Sequence, residues 1–340
     1  MSNKNYNLST AEGPYTADFA WPVELKVNKG LEGAVTNKTL IGYVDGDKGR
    51  LIYRGYSVET LAENSTFEEV AYLLIFGKLP LEAELNKFKQ DLKNAREIPK
   101  KALDVLEILY DHEHSHPMSL LRTAVSVLGV LQKNTMDTSY ENEIRMGMQL
   151  IACLPTLIAA LSRMRTNKEV ISPNNKLDYA ENFLYMLHGK IPDKYDAKMF
   201  DACMTLHADH GMNASTLTAV ATSASLSDLY SSIVGAIGSL KGPLHGGANE
   251  KVLNELIKIK SVDHVKEYVD TKIKNKEKIM GFGHRIYKTY DPRAAVLKKY
   301  AAKLTSESEV FQIAESLEKE VAVHYSKKGI YPNVDFYSGF

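Results

Sequence analysis

Along most of this chain, apolar residues recur at the three-to-four spacing of one helix face. The stretch STFEEVAYLLIFGKLP at 65–80 carries the fullest set of signals. Thr66 with Glu69 three residues on has the form of a capping box. Val70, Leu73 and Leu74 make the apolar stripe, Gly77 stops the helix and Pro80 follows it. Similar periodic runs predict helices near 82–95, 101–112, 118–133, 141–165, 176–188 and 196–208. Others are predicted at 247–260, 263–274, 291–304 and 307–327. The stretch 215–240 is rich in Ala, Ser, Thr and Gly, which predicts a deeply buried, closely packed helix pair of the kind a subunit interface uses. Strand signal is confined to IGYVDGDKGRLIYRGYS at 41–57, where Tyr43, Leu51 and Tyr53 flank the turn-forming DGDKG. The first 35 or so residues read as an irregular arm. With no strand–helix alternation and no internal repeat, the expectation is an all-α protein with one small N-terminal hairpin.

Composition narrows the partners. The chain has 340 residues, 44% hydrophobic and 25% charged, which is enough to bury a sizeable core without staples. The formal net charge is zero, so nothing points to a nucleic-acid partner, for which a basic stripe is expected. Cys153 and Cys203 lie in apolar helix-like stretches, which argues against a disulfide framework and for a reducing compartment. The N-terminal stretch has neither the basic-then-apolar form of a secretory signal nor the arginines of a mitochondrial presequence. No run approaches the roughly 18 apolar residues of a membrane helix. A soluble, cytoplasmic protein is expected, with no membrane partner.

Three segments place histidine or acid beside glycine at breaks between helices. HADHGMNAST holds His207 and His210, GPLHGGANE holds His245, and GFGHRIYKTYDPR holds His284, Lys288 and Arg293. A fourth, PNVDFYSGF, places Asp335 in a loop near residue 340. His207 and His210, three apart, would share a helix face, but no third ligand stands out and no metal is expected. The histidines of DHEHSHPM at 111–118 read as solvated or capping residues. The basic run KIKNKEKIM at 272–280 reads as a solvated helix end, with anion attraction as its alternative. GFG at 281–283 follows no strand and is too short for a dinucleotide fingerprint. Together the segments supply a neutral histidine to steady a developing oxyanion, an arginine to grip a carboxylate, and an aspartate to take a proton from carbon. That set suits carbon–carbon bond formation between an enolised thioester and a keto acid.

GFGHRIYKTYDPR resembles the signature segment of citrate synthases, and GPLHGGANE and NVDFYSG resemble that family's two other active-site segments. HPMSLLRTAVSVLG, HADHGMNAST and LIYRGYSVETLAENSTFEEVAYLLIFGKLP are also similar to family stretches in bacterial form, and the likeness runs from about residue 31 to residue 340. The resemblance implies a two-domain helical fold, with a large domain over 1–247 and a small domain over 248–340 that closes over the substrates. It implies a homodimer or larger homo-oligomer. Acetyl-CoA enters as co-substrate beside oxaloacetate, with no permanently bound cofactor.

By the same resemblance, His245 donates to the thioester oxygen of acetyl-CoA and Asp335 takes a proton from its methyl group. His284 polarises the oxaloacetate carbonyl, Arg293 pairs with a carboxylate, His210 is a further oxaloacetate contact and His207 a supporting residue. Histidines and arginine supply the positive field. Lys288 stands where the family often carries a basic residue for CoA phosphates. The backbone of 279–283, which is Ile279, Met280, Gly281, Phe282 and Gly283, resembles the stretch that cradles adenine. Relatives continue past the NVDFYSG segment and carry at least two further arginines there, which implies weak or no activity for a chain of 340 residues. A 2-methylcitrate synthase using propionyl-CoA, or a shortened non-catalytic scaffold, are the alternatives.

Overall fold

The computed structural model of the protein describes residues 36–339 except 112, 244 and 306. The expected N-terminal arm, the first residues of the family likeness and His112 of the histidine-rich patch lie outside the described residues. Residues from Thr39 onward form one compact unit. It begins with a small antiparallel sheet of strands β1 (Gly42–Asp45), β2 (Arg50–Tyr53) and β3 (Tyr56–Ser57) in that order. Val44 pairs with Leu51 and Tyr53 with Tyr56. Strand alternation turns Leu51 and Tyr53 inward, where both are fully buried, and leaves Tyr43 facing solvent.

The rest is helical, as expected. After the sheet comes α1 (Val58–Asn64), capped by Ser57, which the periodicity did not reveal because it is only seven residues long. Then follow α2 (Phe67–Phe76), α3 (Glu82–Asn94), α4 (Lys100–Leu109) and α5 (Pro117–Leu131). α6 (Tyr140–Arg165), α7 (Tyr179–His188) and α8 (Lys194–Leu206) continue the chain. α2 carries the capping box of Thr66 and Glu69, and Gly77 closes it in the left-handed conformation at φ 82°. The small-residue stretch divides into α9 (Ala214–Ser223) and α10 (Leu229–Leu240). These two do pack closely: a Cβ added at Gly235 would stand 3.2 Å from the side chains of Thr218 and Thr222. In the single chain the burial falls on α10, where Tyr230, Ser232 and Ile237 are buried. No residue of α9 is fully buried, and Leu226 after it is 70% exposed. The small side chains serve close approach along one face and leave the other uncovered.

The last third comprises α11 (Ala248–Ile259), α12 (Val265–Lys274), α13 (Pro292–Thr305), α14 (Glu309–Tyr325) and α15 (Val334–Tyr337). Its apolar faces share one core with the first elements: Val252, Leu256, Phe311, Leu317 and Phe336 belong to the same buried cluster as Leu51, Tyr53, Leu61 and Leu206. A second cluster joins α4, α5, α6 and α10, and a third joins α2, α3, α6 and α7. By length and composition α6 could cross a membrane, contrary to the sequence expectation that no such run exists. Its apolar length has another use here: Met146, Leu150, Cys153 and Leu157 sit in the second cluster and Ala152 in the third. Cys153 and Cys203 are both free thiols.

Candidate active site

The segments singled out by their glycines meet where helices end. α8 stops at Leu206, so His207 is its C-cap and His210 lies beyond it; the expected shared helix face does not exist. His207 Nδ1 lies 2.7 Å from the Cys203 carbonyl oxygen and donates to it, which leaves the lone pair on Nε2. His207 is exposed by surface area, yet crowding by protein lowers its pKa, the combination expected on a cleft wall. The loop after it is pinned by Tyr53. That hydroxyl donates to the Asp209 carbonyl (2.7 Å) and accepts from the Asp209 N–H (3.1 Å).

The two segments that end in His284 and lead into Asp335 are joined by backbone pairing. Gly283 N–H donates to the Tyr331 carbonyl and Asn333 N–H to the Gly281 carbonyl, both at 2.9 Å. The Asn333 side chain adds a bond to the Gly283 carbonyl (2.8 Å). Gly281 has φ 79°, and a Cβ there would stand 2.7 Å from the Phe336 ring, so both conformation and space require glycine. This pairing occupies Gly281 and Gly283, and the bridge between Phe282 and Pro332 turns the Phe282 N–H and C=O to the other side. Asp335 is not in a loop. It sits in the first turn of the one-turn helix α15, its N–H accepted by the Asn333 side chain at 3.0 Å.

His284 Nδ1 accepts from two backbone N–H groups, of Ile286 and Tyr287, each at 3.1 Å. A ring nitrogen that accepts carries no proton, so the proton of the neutral ring is on Nε2. The His210 ring lies edge-on to it, with centroids 5.2 Å apart at 75°. Tyr287, 1% exposed, closes the group: its hydroxyl is 3.2 Å from His210 Nε2 and its ring centroid 4.7 Å from that of His284. Both imidazoles are held neutral. Burial first, then Arg293 and His284, push His210 down to about 3. Burial also lowers His284, with Arg293 and Lys288 assisting and Asp291 opposing.

Arg293 enters at the start of α13, 5% exposed, and its guanidinium is held by Asp291, itself 1% exposed. Nε and Nη2 donate to the two carboxylate oxygens at 3.1 and 2.8 Å. The same carboxylate accepts the Arg293 N–H (3.0 Å) and the Val334 N–H (3.2 Å), tying α13 to the Asp335 segment. The positive field is therefore weaker than the resemblance implied, because the arginine is compensated by Asp291. Asp335 responds to this balance. Burial raises its pKa, Arg293 lowers it and Asp291 raises it again.

His245 stands two residues before Gly247, the N-cap of α11, as a helix-end histidine should. A Cβ at Gly246 would collide with the Leu240 carbonyl oxygen, so the bare backbone there is required. His245 Nε2 is 2.7 Å from Ser215 Oγ, and burial lowers its pKa. Ser215 is at the start of α9, five residues past His210, so one segment serves both histidines. Among the described residues no hydrogen bond or ring contact joins His245 to His284 or Asp335. Lys288 is exposed, its ammonium donating to the Arg285 carbonyl (3.3 Å) and its N–H to the Gly46 carbonyl (2.9 Å). Ile279 and Met280 are half-buried against the main core. Among the described residues no three metal-ligating side chains converge.

The sequence reading missed Asp291, Tyr287, Ser215, Asn333 and Tyr53. Asp291 before Pro292 had a legible signal, an acidic cap ahead of proline at the first helical position. The others act through tertiary contacts that spacing does not encode.

Comparison with known proteins points to one family. The family model described as "Citrate synthase, C-terminal domain" matches residues 30–340. A citrate synthase of Synechocystis sp. is 47% identical over 317 residues, covering 92% of this chain and 79% of that protein. A 2-methylcitrate synthase of Mycobacterium tuberculosis is 39% identical over 313 residues, covering 92% of this chain and 79% of that protein. Among solved structures, the ternary complex of carboxymethyl coenzyme A and oxaloacetate with citrate synthase from Thermoplasma acidophilum superposes with a TM-score of 0.87. It is 34% identical, and the match covers 92% of this chain and 83% of that one. Family match, relatives and fold agree, and the chain belongs to the citrate synthase family.

Proposed function

We propose that the protein condenses acetyl-CoA with oxaloacetate and hydrolyses the citryl-CoA formed to citrate and CoA. The observation that carries this reading is the cluster of His210, His284, Arg293 and Asp335. It holds two neutral imidazoles, a buried guanidinium and a carboxyl group whose pKa is raised, with the imidazoles and the carboxyl group each in the field of Arg293 and Asp291.

In this mechanism oxaloacetate binds first, with a carboxylate against the outer N–H groups of Arg293 and a further contact from His210. The Nε2–H of His284 donates to the keto oxygen. Asp335, deprotonated, takes a proton from the acetyl methyl group. Each pKa unit separating that carbon acid from a carboxyl group costs about 1.36 kcal/mol, so the enolate needs a partner. His245 supplies it. With Ser215 donating to Nε2, the proton of neutral His245 sits on Nδ1 and is offered to the thioester oxygen. The enol carbon bonds to the keto carbon while the keto oxygen takes the Nε2 proton of His284, and the proton that Asp335 took replaces it on the ring by way of water. Water then cleaves the thioester and releases CoA. His207 supports the loop rather than the substrate. Lys288 is placed on the CoA phosphates, and the outward N–H and C=O of Phe282, within Ile279–Gly283, on adenine.

These groups bear on two substrates that lie between them, so water has to be kept out once both are bound. We assign that exclusion to 248–340 closing on 1–247, which also completes the site. Because the last helices share a core with β2, α1 and α8, the closure is a sliding of packed helices rather than a swing about a hinge. The uncovered face of α9 supports a homodimer or larger assembly, and the free thiols support a reducing, cytoplasmic setting.

The test is thiol release from acetyl-CoA with and without oxaloacetate, repeated with propionyl-CoA. Oxaloacetate-dependent release is expected, with acetyl-CoA favoured in kcat/KM. Propionyl-CoA favoured would make the protein a 2-methylcitrate synthase, a difference of one methylene worth about 1–3 kcal/mol. No dependent release from either thioester would leave the non-catalytic scaffold.

A further inference from the structure

We propose that Tyr287 is the positioning residue of the keto-acid pocket, holding His210 through its hydroxyl and His284 through its backbone N–H. The inference rests on the pocket being the oxaloacetate site, and adds a residue that neither motif nor family likeness assigned.

The geometry is specific. One buried residue touches both imidazoles by different groups. Its N–H donates to His284 Nδ1 at 3.1 Å and its hydroxyl lies 3.2 Å from His210 Nε2. The phenol stays protonated at any working pH: burial raises its pKa, and Asp291 adds to this while Arg293 opposes. Between a neutral phenol and a neutral imidazole, the phenol is the stronger acid and donates. His210 Nε2 therefore accepts, and its proton sits on Nδ1. The two rings are fixed in complementary tautomers, His284 with Nε2–H and His210 with Nδ1–H, at an edge-to-face angle of 75°. A core tyrosine with no such role would need only a partner for its hydroxyl, and that partner could be any carbonyl. Here it is one of the pocket's own rings.

The charged and titratable groups bearing on His210 are Arg293, His284 and Asp291 beside Tyr287. A hydrogen bond to the neutral ring opposes protonation. Removing it therefore moves the His210 pKa up, toward the ordinary histidine value.

The experiment is Tyr287→Phe, which keeps the ring and the backbone N–H and removes only the hydroxyl. KM for oxaloacetate is expected to rise roughly three- to tenfold, the worth of one neutral hydrogen bond, with kcat changing less than KM. Imidazole ¹⁵N spectra should show His210 titrating at higher pH and His284 keeping an unprotonated Nδ1. In a His210→Ala background the same substitution should leave KM unchanged, which a general loosening of the fold would not do. An unchanged KM together with an unchanged His210 titration in Tyr287→Phe overturns the proposal. So does an equal KM penalty in the His210→Ala background. If the unsubstituted protein shows no oxaloacetate-dependent CoA release, the enzymatic reading fails instead, and the ¹⁵N titration still decides whether Tyr287 holds His210.

Discussion

Replacing Asp291 by Ala removes four acceptor contacts at once. The Arg293 guanidinium loses both arms of its fork, and the N–H groups of Arg293 and Val334 lose their partner. Arg293 is 5% exposed, so water cannot readily take over. Breaking a buried pair from one side costs about 3–5 kcal/mol. For a chain of this length that lowers Tm by roughly 4–7 °C. Activity should suffer more than stability. Arg293 loses its orientation and the Asp335 turn loses an anchor, and misplacement by about 1 Å can cost on the order of 10²-fold in rate. The acid limb of the pH–rate profile should also move. Asp291 raises the Asp335 pKa and Arg293 lowers it, so without Asp291 the limb shifts to lower pH. Thermal melts and CoA-release kinetics across pH measure all three effects. The double variant Asp291→Leu/Arg293→Leu removes both charges and should recover most of the stability with none of the activity. A double variant as unstable as the single one, or an acid limb that moves up, would refute the reasoning.

Three further outcomes are expected. Tyr53→Phe leaves the Asp209 N–H and carbonyl without their shared partner, costing about 1–2 kcal/mol in urea unfolding and raising KM for oxaloacetate by loosening the His210 loop. Gly281→Ala forces a side chain into φ 79° against Phe336, and should cost about 1–3 kcal/mol and displace the Asp335 segment, read as lowered kcat. His210 has a folded pKa of about 3 against 6.5 unfolded, so the unfolded state takes up the proton first and stability falls as pH drops below about 6.5. His210→Gln should relieve about 2 kcal/mol of that loss between pH 6.5 and 5, checked by urea midpoints at the two pH values. Asp201, raised to about 6 by burial, acts in the opposite sense and should keep its own slope in the variant.

Much of the architecture was legible because helices write their faces and ends locally. Thr66, Glu69 and Gly77 cap α2 as their spacing predicts, and the hairpin stood out by its turn and alternation, although Tyr43, grouped there with Leu51 and Tyr53, faces solvent. Short elements were not legible. α1 and α15 are too brief for a period to register, so Asp335 was expected in a loop. α8 ends before His207 because the chain must turn toward Tyr53, a contact 156 residues away in sequence. The chemistry-bearing residues stood out through their glycine surroundings and family likeness. Their mutual electrostatics did not: Asp291 neutralises the arginine that the sequence offered as free charge. Of the small-residue pair, α10 carries the burial within one chain and α9 does not, since a small-residue stripe records close packing on one side only.

The central claim is that His245, His284 and Asp335 converge on one new carbon–carbon bond, with His245 held by Ser215. A structure determined with oxaloacetate and carboxymethyl-CoA bound tests this most directly. The account predicts His284 Nε2 on the keto oxygen, His245 Nδ1 on the acyl-side oxygen and the Asp335 carboxylate over the carbon between them, each at about 3–3.5 Å. A ternary complex in which His245 stays on Ser215 with its Nδ1 turned away from the ligands would contradict it.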